Sequence, residues 1–250
     1  MARVDDKKSG GFKIAFFILL LIIIGVATGC IFSPTFNITD VKVEDNLKTA
    51  SGDIISVANI PLGVNIFRIN DSKIESAVEN LPYVKEANIV RKFPSTVAIK
   101  VEERTPYAIV KHLESFVITD KYGYVLEVES ENTHQELPIV YGIDIAQINV
   151  GKKLDGTALT KYENCAYLLE TSYRIEFKYK FSEINYDDPT NVKLYIKEND
   201  LDIIYGNVYI NNIEEKLTHL SSIIEHLNDK KGKLDMSNED YLARTVFTEK

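Results

Sequence analysis

The longest uninterrupted apolar run of the chain lies near its beginning. It extends from Ile14 to Phe32 and contains no charged side chain. Because about 20 apolar residues span the hydrocarbon core of a bilayer as a helix, the run predicts a transmembrane helix at 14–32. Residues 1–13 carry four basic and two acidic side chains, and an excess of basic residues stays on the cytoplasmic side. The sequence therefore predicts a cytoplasmic tail at 1–13 and an extracytoplasmic remainder.

A second interpretation of the same run stays open. The stretch ATGC at 27–30 loosely resembles the site at which a bacterial lipoprotein is cleaved and lipidated on its cysteine. The apolar run nevertheless continues to Phe32, beyond that point, and Ala27 stands where such sites usually have leucine. Both features favour an uncleaved membrane anchor over a lipid-anchored extracytoplasmic lipoprotein that binds a ligand or assists envelope assembly.

Beyond the apolar run, the spacing of hydrophobic positions predicts a short series of strands and helices. The predicted elements are a strand at 38–44, a helix at 51–58, a helix from Ser72 to Leu81, and strands at 87–92 and 96–102. Ser72 and Glu75 have the spacing of a capping box, and Pro82 ends the second helix because proline cannot continue it. The order strand, helix, helix, strand, strand is typical of a small α+β module.

After Thr105-Pro106 the pattern changes to many short strands separated by polar turns. The predicted strands are 107–110, 116–119, 124–128, 137–140, 183–186, 192–196, 201–205, 208–210, 233–237 and 243–248. Two helices, at 159–172 and 212–227, interrupt the series. This pattern predicts a second, strand-rich domain with a mixed sheet.

The charge balance and the cysteines narrow the functional classes. The net charge is −8, so a nucleic-acid role has little electrostatic support. Of the two cysteines, Cys30 lies in the apolar run and Cys165 in a helical pattern, which makes an intramolecular disulfide improbable. The external domains are therefore expected to be stabilised by packing alone.

Residue types that could support catalysis or metal binding are scattered rather than grouped into a motif. The candidates are His112 with Ser115 and Asp120, His134 with Glu136, His219 and His226 with Glu225, and the acids Asp53, Asp71, Asp187 and Asp188. His219 and His226 fall on the polar side of a predicted amphipathic helix, and the acids occur at turns and helix starts. The sequence contains no glycine-rich phosphate loop, Cys/His metal cluster or nucleophile elbow. These observations favour a protein that acts by contact, without a cofactor.

Five sequence segments in a fixed order carry a resemblance to a known family. They are GVNIF at 63–67, LPYVKEA at 81–87, RKFPSTV at 91–97, VEERTPYA at 101–108 and FVITDKYG at 116–123. Together with the basic tail and single apolar run, these segments resemble the FtsQ/DivIB family of bacterial cell-division proteins. The resemblance implies a POTRA domain at 36–104, the family's β domain at 105–237, and a C-terminal strand and tail at 238–250.

The resemblance also implies a function and partners. It predicts a non-enzymatic scaffold of the divisome, located at the division septum as a single-pass protein of the cell membrane. The expected partners are small coiled-coil division proteins of the FtsB/DivIC and FtsL types and, indirectly, the septal peptidoglycan synthase. No cofactor and no nucleic acid are expected.

In that family a partner strand is added at the edge formed by the last strands of the β domain. Those strands correspond here to 233–237 and 243–248. The predicted partner-binding residues are Tyr241, Arg244, Thr245, Val246 and Phe247. The polar sheet face of the first module, between Lys85 and Glu103, is a secondary candidate.

Overall fold

The computed structural model describes residues 8–208 and 212–250, and the chain divides into two compact units, Met1–Glu103 and Arg104–Lys250. The predicted strand at 208–210 falls mostly outside the described residues, as does the greater part of the predicted cytoplasmic tail.

The first unit begins with helix α1, Lys8–Phe32. The part of α1 from Lys13 to Phe32 has a mean hydropathy of 2.9, and its large apolar side chains, such as Phe17, Leu21 and Ile24, are exposed. A helix of this length and composition is suited to cross a membrane. The predicted single N-terminal apolar helix is confirmed.

The rest of the first unit is a three-stranded sheet with two helices packed against it. The elements are β1 Asp40–Glu44, α2 Ser51–Ala58, α3 Asp71–Val78, β2 Val84–Lys92 and β3 Thr96–Glu103. The strand order is β1-β3-β2, with β1 parallel and β2 antiparallel to β3. The helices contribute Ile54 and Val78 to a buried core that also contains Ile99 and Val101. The predicted strand-helix-helix-strand-strand order is confirmed.

The start of α3 differs from the prediction. Asn70 caps the helix, because its side-chain oxygen accepts a hydrogen bond from the Lys73 N–H at 3.1 Å. Glu75, expected to complete a capping box with Ser72, instead accepts a hydrogen bond from the Ile89 N–H at 3.0 Å. Glu79 likewise accepts a hydrogen bond from the Ala87 N–H. Two glutamates of the α3 segment thus occupy outward donors of the edge strand β2.

In the part of the second unit that the structure describes, nine strands form a mixed sheet with the strand order β12-β11-β10-β9-β8-β7-β4-β5-β6. Its strands are β4 Ala108–His112, β5 Ser115–Thr119, β6 Val125–Glu129, β7 Ile139–Tyr141, β8 Glu183–Asn185, β9 Val192–Ile196, β10 Leu201–Gly206, β11 Gly232–Asp235 and β12 Val246–Glu249. The helices are α4 Gly156–Arg174, α5 Ile213–Leu227 and the short α6 Tyr241–Arg244. One buried core contains residues of α4, α5 and most strands, so these helices cover one face of the sheet.

A buried ion pair fixes the first turn of the second unit. Asp120 accepts hydrogen bonds from Arg104 at 2.8 Å and from the N–H groups of Tyr122 and Tyr124, both at 2.9 Å. The Arg104 guanidinium lies 3.5 Å from the centre of the Tyr124 ring. The hydroxyl of Tyr162, on α4, donates to the Asp120 carbonyl at 2.7 Å. Asp120 is therefore engaged in structure and is not free to act in a catalytic triad.

Replacing Asp120 with alanine is expected to destabilise the second unit by about 3–5 kcal/mol, because it leaves a buried guanidinium without its counter-ion. The free energy of unfolding can be followed by near-ultraviolet circular dichroism, since all but one of the 14 tyrosines lie in Arg104–Lys250. Asp144→Ala is the matched control, because the Asp144 side chain is fully exposed. Equal effects of the two substitutions would contradict the role of the Asp120 ion pair.

Candidate functional site at the C-terminal sheet edge

The last strand, β12, forms one edge of the nine-stranded sheet. It runs antiparallel to β11, with Leu234 opposite Phe247 and Asp235 opposite Val246. β11 in turn runs parallel to β10. The strand predicted at 243–248 begins only at Val246, because residues 241–244 form helix α6. Of the five predicted partner-binding residues, only Val246 and Phe247 therefore lie on β12.

Hydrogen-bond direction alternates along β12. The Lys250 N–H donates to the Lys231 carbonyl at 3.1 Å, so this pair stands at a hydrogen-bonded position of the ladder. In an antiparallel ladder every second pair is of this kind. Val246 and Thr248 therefore direct their backbone groups toward β11, whereas Phe247 and Glu249 direct theirs outward. Within residues 8–208 and 212–250, no group bonds to the outward N–H of Phe247 or Glu249.

The glycine opposite β12 allows the strand to lie close to the sheet. A Cβ atom on Gly232 would stand 2.3 Å from the Thr248 carbonyl oxygen and 2.8 Å from Cε2 of the Phe247 ring. Both distances are shorter than van der Waals contact. Phe247 itself packs against the main core of the unit. Glycine at 232 and phenylalanine at 247 together hold the edge strand in place.

The five predicted partner-binding residues do not form one continuous surface. Tyr241 is only 4% exposed, and its hydroxyl accepts a hydrogen bond from the Asn212 side chain at 2.9 Å. Arg244 is exposed at the end of α6, and the Thr245 hydroxyl donates back to the Tyr241 carbonyl. Val246 is exposed and Phe247 is partly buried. The structure thus gives Tyr241 a supporting position beneath α6 and leaves Val246 and Phe247 on the edge strand.

Beneath α6 lies a buried lysine that the sequence pattern does not single out as special. Lys216, on α5, donates a hydrogen bond to the Tyr205 carbonyl. Its ammonium lies 4.5 Å from the centre of the Tyr205 ring and 5.0 Å from that of Tyr241, within the range of cation–π attraction. Burial lowers the pKa of Lys216 to about 8, although Asp235 partly opposes the shift. The lysine joins α5, β10 and α6 at the base of the edge.

Charged side chains fix the end of the chain beside β10. The Lys250 ammonium lies 2.8 Å from Asp200 and 3.2 Å from Asp202. The hydrogen bond from Lys250 is the main reason why the pKa of Asp200 lies below its usual value. At the end of β11, hydrogen bonds from Ser237 lower the pKa of Asp235. These groups are largely exposed, so they position the strand ends more than they stabilise the fold.

Two other sheet edges differ from β12. In the first unit, Glu75 and Glu79 accept hydrogen bonds from β2, as described above. In the second unit, the start of β6 is covered by a loop, with the Val125 N–H donating to the Lys152 carbonyl at 2.9 Å. The Gly151 N–H also donates to the Val125 carbonyl. Chemically, β12 can accept a further strand, whereas two N–H groups of β2 and the start of β6 already have partners.

Several of the residues considered for catalysis or metal binding are held in structural contacts. His112 and Ser115 face each other across the β4–β5 hairpin, but Asp120 is engaged by Arg104. His219 is half-buried near the Tyr241 ring, so the prediction that it lies on the solvated side is wrong, whereas His226 is exposed. Ligand atoms of Glu127, Glu129 and His134 lie within 4.8 Å of one another. Glu129 already accepts hydrogen bonds from Thr133, and His134 contacts Glu136, so neither is held ready for an ion.

The fold and the open edge define a class of protein: a POTRA module followed by a mixed-sheet domain that can take up a further strand. Residues 36–104 match the family model described as POTRA domain, FtsQ-type, and residues 108–237 match the one described as Cell division protein FtsQ/DivIB, C-terminal. The second match covers more than half of the chain. The chain belongs to the FtsQ/DivIB family of cell-division proteins, as the sequence motifs predicted.

Curated relatives extend over most of the chain. Cell division protein DivIB of Clostridium tetani is 29% identical over 219 residues, which are 86% of this chain and 80% of the relative. Cell division protein FtsQ of Syntrophotalea carbinolica is 25% identical over 86% of this chain and 74% of its own. A solved structure of the major extracytoplasmic domain of DivIB from Geobacillus stearothermophilus is 16% identical over 51% of this chain and 96% of its own, with a TM-score of 0.29. The relatives are named as cell-division proteins, which supports a role in septation.

The substitution Gly232→Ala is expected to displace β12, because the added methyl group would collide with the Thr248 carbonyl. Hydrogen exchange should then accelerate at the Thr248 amide, which faces β11, by at least about tenfold if the local opening free energy falls by about 1.4 kcal/mol. Gly52→Ala is the spatial control, because a Cβ at Gly52 meets nothing within 4 Å and the backbone there has no positive φ. Unchanged exchange at Thr248 in Gly232→Ala would contradict this packing.

Lys216 also predicts a pH dependence of stability. Its folded-state pKa lies below that of an unfolded lysine, so between about pH 8 and 10 the unfolded chain binds more protons, and the free energy of unfolding rises with pH. The contribution approaches about 1.4 kcal/mol per pH unit within this window. Urea unfolding at several pH values should show a rise that Lys216→Met flattens. Lys233→Met, at an exposed lysine of β11, should leave the dependence of the unfolding free energy on pH unchanged. Equal slopes in the unsubstituted protein, Lys216→Met and Lys233→Met would contradict the burial of a charged Lys216.

Proposed function

We propose that this chain is a non-enzymatic scaffold of the divisome that binds a partner by adding the partner's strand to β12. The observation that carries the proposal is the outward pair of N–H groups on Phe247 and Glu249, which have no partner among the described residues. Backbone groups at an exposed edge template the pairing of another chain. Main-chain hydrogen bonds then supply affinity, and neighbouring side chains supply specificity.

The side chains around β12 fit an extended partner with apolar and acidic positions. Val246 is exposed on one face of the strand, and Phe247 is partly buried on the other. Arg244 stands exposed beside the start of β12, whereas Lys250 at its end is already paired with Asp200 and Asp202. We assign the occupant to the FtsB/DivIC type of small coiled-coil protein, acting with an FtsL-type protein and, indirectly, with the septal peptidoglycan synthase. Of the residues predicted to contact the partner, we retain Arg244, Thr245, Val246 and Phe247 and assign Tyr241 to their support.

Helix α1 places the scaffold at the cell membrane in this proposal, with its N-terminus in the cytoplasm and residues 36–250 outside, at the division septum. The helix continues past Cys30 to Phe32, and the Asn65 side chain donates a hydrogen bond to the Cys30 carbonyl. Cleavage before Cys30 would remove most of the helix. This continuity supports an uncleaved anchor over a lipoprotein.

A proline at Glu249 tests strand addition directly. Glu249→Pro removes an outward N–H, and the loss of one or two intermolecular hydrogen bonds should weaken binding of an FtsB/DivIC-type partner by about tenfold. Glu249→Ala is the matched control, because it removes the same carboxylate but retains the N–H. The affinity of Glu249→Ala for the partner should stay within about twofold of that of the unsubstituted chain, because substitutions at exposed positions usually have small effects.

Val246→Pro is a control for damage to the strand itself. The Val246 N–H faces β11, so its loss disturbs the hydrogen bonds between β12 and β11. Affinity is measured by titration calorimetry on the full chain in detergent. If Glu249→Pro binds as tightly as Glu249→Ala, the partner does not pair with β12 and the proposed interface is wrong.

A further inference from the structure

We propose that Phe36, Phe67 and Phe93 form a membrane-contact patch by which the first unit lies on the outer lipid–water interface. In this proposal the phenylalanine patch contacts lipid headgroups and the adjoining part of the acyl chains. The inference rests on the proposed anchoring of the chain by α1. It goes beyond that anchoring because it assigns a second, non-spanning lipid contact that orients the domain.

The three rings form a single cluster that solvent reaches. Their centroids lie 5.5 Å apart for Phe36 and Phe67, 5.4 Å for Phe67 and Phe93, and 6.3 Å for Phe36 and Phe93. Phe93 is 59% exposed and Phe67 is 41% exposed. Single exposed apolar residues are ordinary, but adjoining exposed aromatic rings mark a contact surface.

Backbone hydrogen bonds bring the patch together from three separate segments. The Ile66 N–H donates to the Phe36 carbonyl at 2.8 Å, which places Phe67 beside Phe36. The Thr39 N–H donates to the Ser95 carbonyl at 2.9 Å, which holds the turn that carries Phe93 against the same segment. The patch therefore belongs to the folded domain and moves with it.

The same segments also bind the end of α1. The Asn65 side-chain amide donates to the Cys30 carbonyl at 3.1 Å and to the Ser33 carbonyl at 3.3 Å. The last carbonyls of a helix have no partner within the helix, so this amide caps α1. The side-chain oxygen of Asn65 accepts from the Phe67 N–H at 3.1 Å. One buried asparagine thus links the end of the apolar helix to the backbone of the patch.

Arg68 supplies a cationic group at the same place. Its guanidinium lies 5.0 Å from the centre of the ring of Phe32, and Phe32 is the last residue of α1. Arginine next to an apolar span typically extends its charged end toward lipid phosphates while its stem stays on apolar surface. The combination of aromatic rings and an arginine matches the composition of a bilayer interface, where amphipathic aromatic and basic side chains concentrate.

The distance from α1 favours lipid over a protein as the occupant. Phe36 ends a three-residue 3₁₀ helix, Pro34–Phe36, that follows α1 after Ser33. A 3₁₀ helix rises about 2 Å per residue, so Phe36 lies roughly 6 Å beyond that serine. The polar layer of a bilayer is about 5–8 Å thick on each side of the hydrocarbon core. If α1 spans the membrane, the patch begins within that layer.

The opposite end of the same sheet offers a matched control position. Leu47 is 93% exposed, and its N–H donates to Glu103 at the end of β3. Phe93 precedes the start of β3 at Thr96. Strand β3 has eight residues, so its ends are about 23 Å apart at 3.3 Å per residue. A label at 47 therefore samples an exposed apolar site of the same domain, far from the proposed lipid contact.

The test uses the full chain with Cys30→Ser, carrying a single environment-sensitive fluorophore on Phe93→Cys or on Leu47→Cys. Cys165 stays in place, because its thiol is buried and burial raises its pKa above the ordinary value. The proteins are reconstituted into vesicles of phosphatidylcholine and phosphatidylglycerol that contain a lipid with a nitroxide quencher near its headgroup. A repeat with the label on Phe67→Cys ensures that the result does not depend on one substitution.

The proposal expects quenching at 93 and 67 that exceeds quenching at 47 by at least about threefold, as for side chains inserted about 5–10 Å into the interface. Flotation of the vesicles separately reports anchoring by α1. Flotation with equally weak quenching at all positions would overturn the patch proposal and leave the anchor intact. Equally strong quenching at 47 would also overturn it, because the domain would then lie along the membrane without orientation. Failure to float would overturn both the anchor and the patch that depends on it.

Discussion

A strand at the edge of a sheet leaves half of its backbone N–H and C=O groups without a partner in the sheet, and this chain treats its edges in different ways. In the first unit, Glu75 and Glu79 place carboxylate oxygens on the outward N–H groups of β2. In the second unit, the Gly151–Lys152 backbone covers the start of β6. The outward groups of β12 have no such cover among the described residues. Because unpaired backbone groups are costly once water is removed, an edge that stays open is suited to a partner's backbone.

The surroundings of β12 show how an open edge is kept in one geometry. Gly232 lets the strand approach β11, Phe247 anchors it in the core, and the Lys216–Tyr241 contact supports the preceding short helix. A buried lysine is a costly choice for a support. The cost is reduced by the Tyr205 carbonyl and two aromatic faces. The edge is therefore preorganised, which lowers the ordering cost when a partner strand binds.

Much of the fold could be predicted from the sequence, because the spacing of hydrophobic residues and the turn-forming residues between elements determine it. The apolar run at 14–32 and the strand-helix-helix-strand-strand order follow from spacing alone. Helix α6 overlaps the beginning of the strand predicted at 243–248, since four residues are too short to show a helical period. The cap of α3 is Asn70, two residues before the predicted Ser72, because both residues have the right chemistry and only backbone geometry separates them.

The candidate site was less predictable, since it depends on contacts between distant segments. Position in the last strands of the predicted β domain points to Val246 and Phe247, but nothing local distinguishes a buried Tyr241 from an exposed one. The same holds for Phe36, Phe67 and Phe93, which lie in three segments and meet only through backbone hydrogen bonds. In the sequence Asp120 resembles a catalytic acid. In the structure its carboxylate is paired with Arg104, sixteen residues earlier.

Amide hydrogen exchange along β12, measured with and without an FtsB/DivIC-type partner, tests strand addition most directly. Strand addition predicts that the outward amides of Phe247 and Glu249 exchange freely in the unbound chain and slow by at least about tenfold in the complex. The inward amides of Val246 and Thr248 should already be protected in the unbound chain. Protection that develops on the sheet face between Lys85 and Glu103, with Phe247 and Glu249 unchanged, would contradict the account.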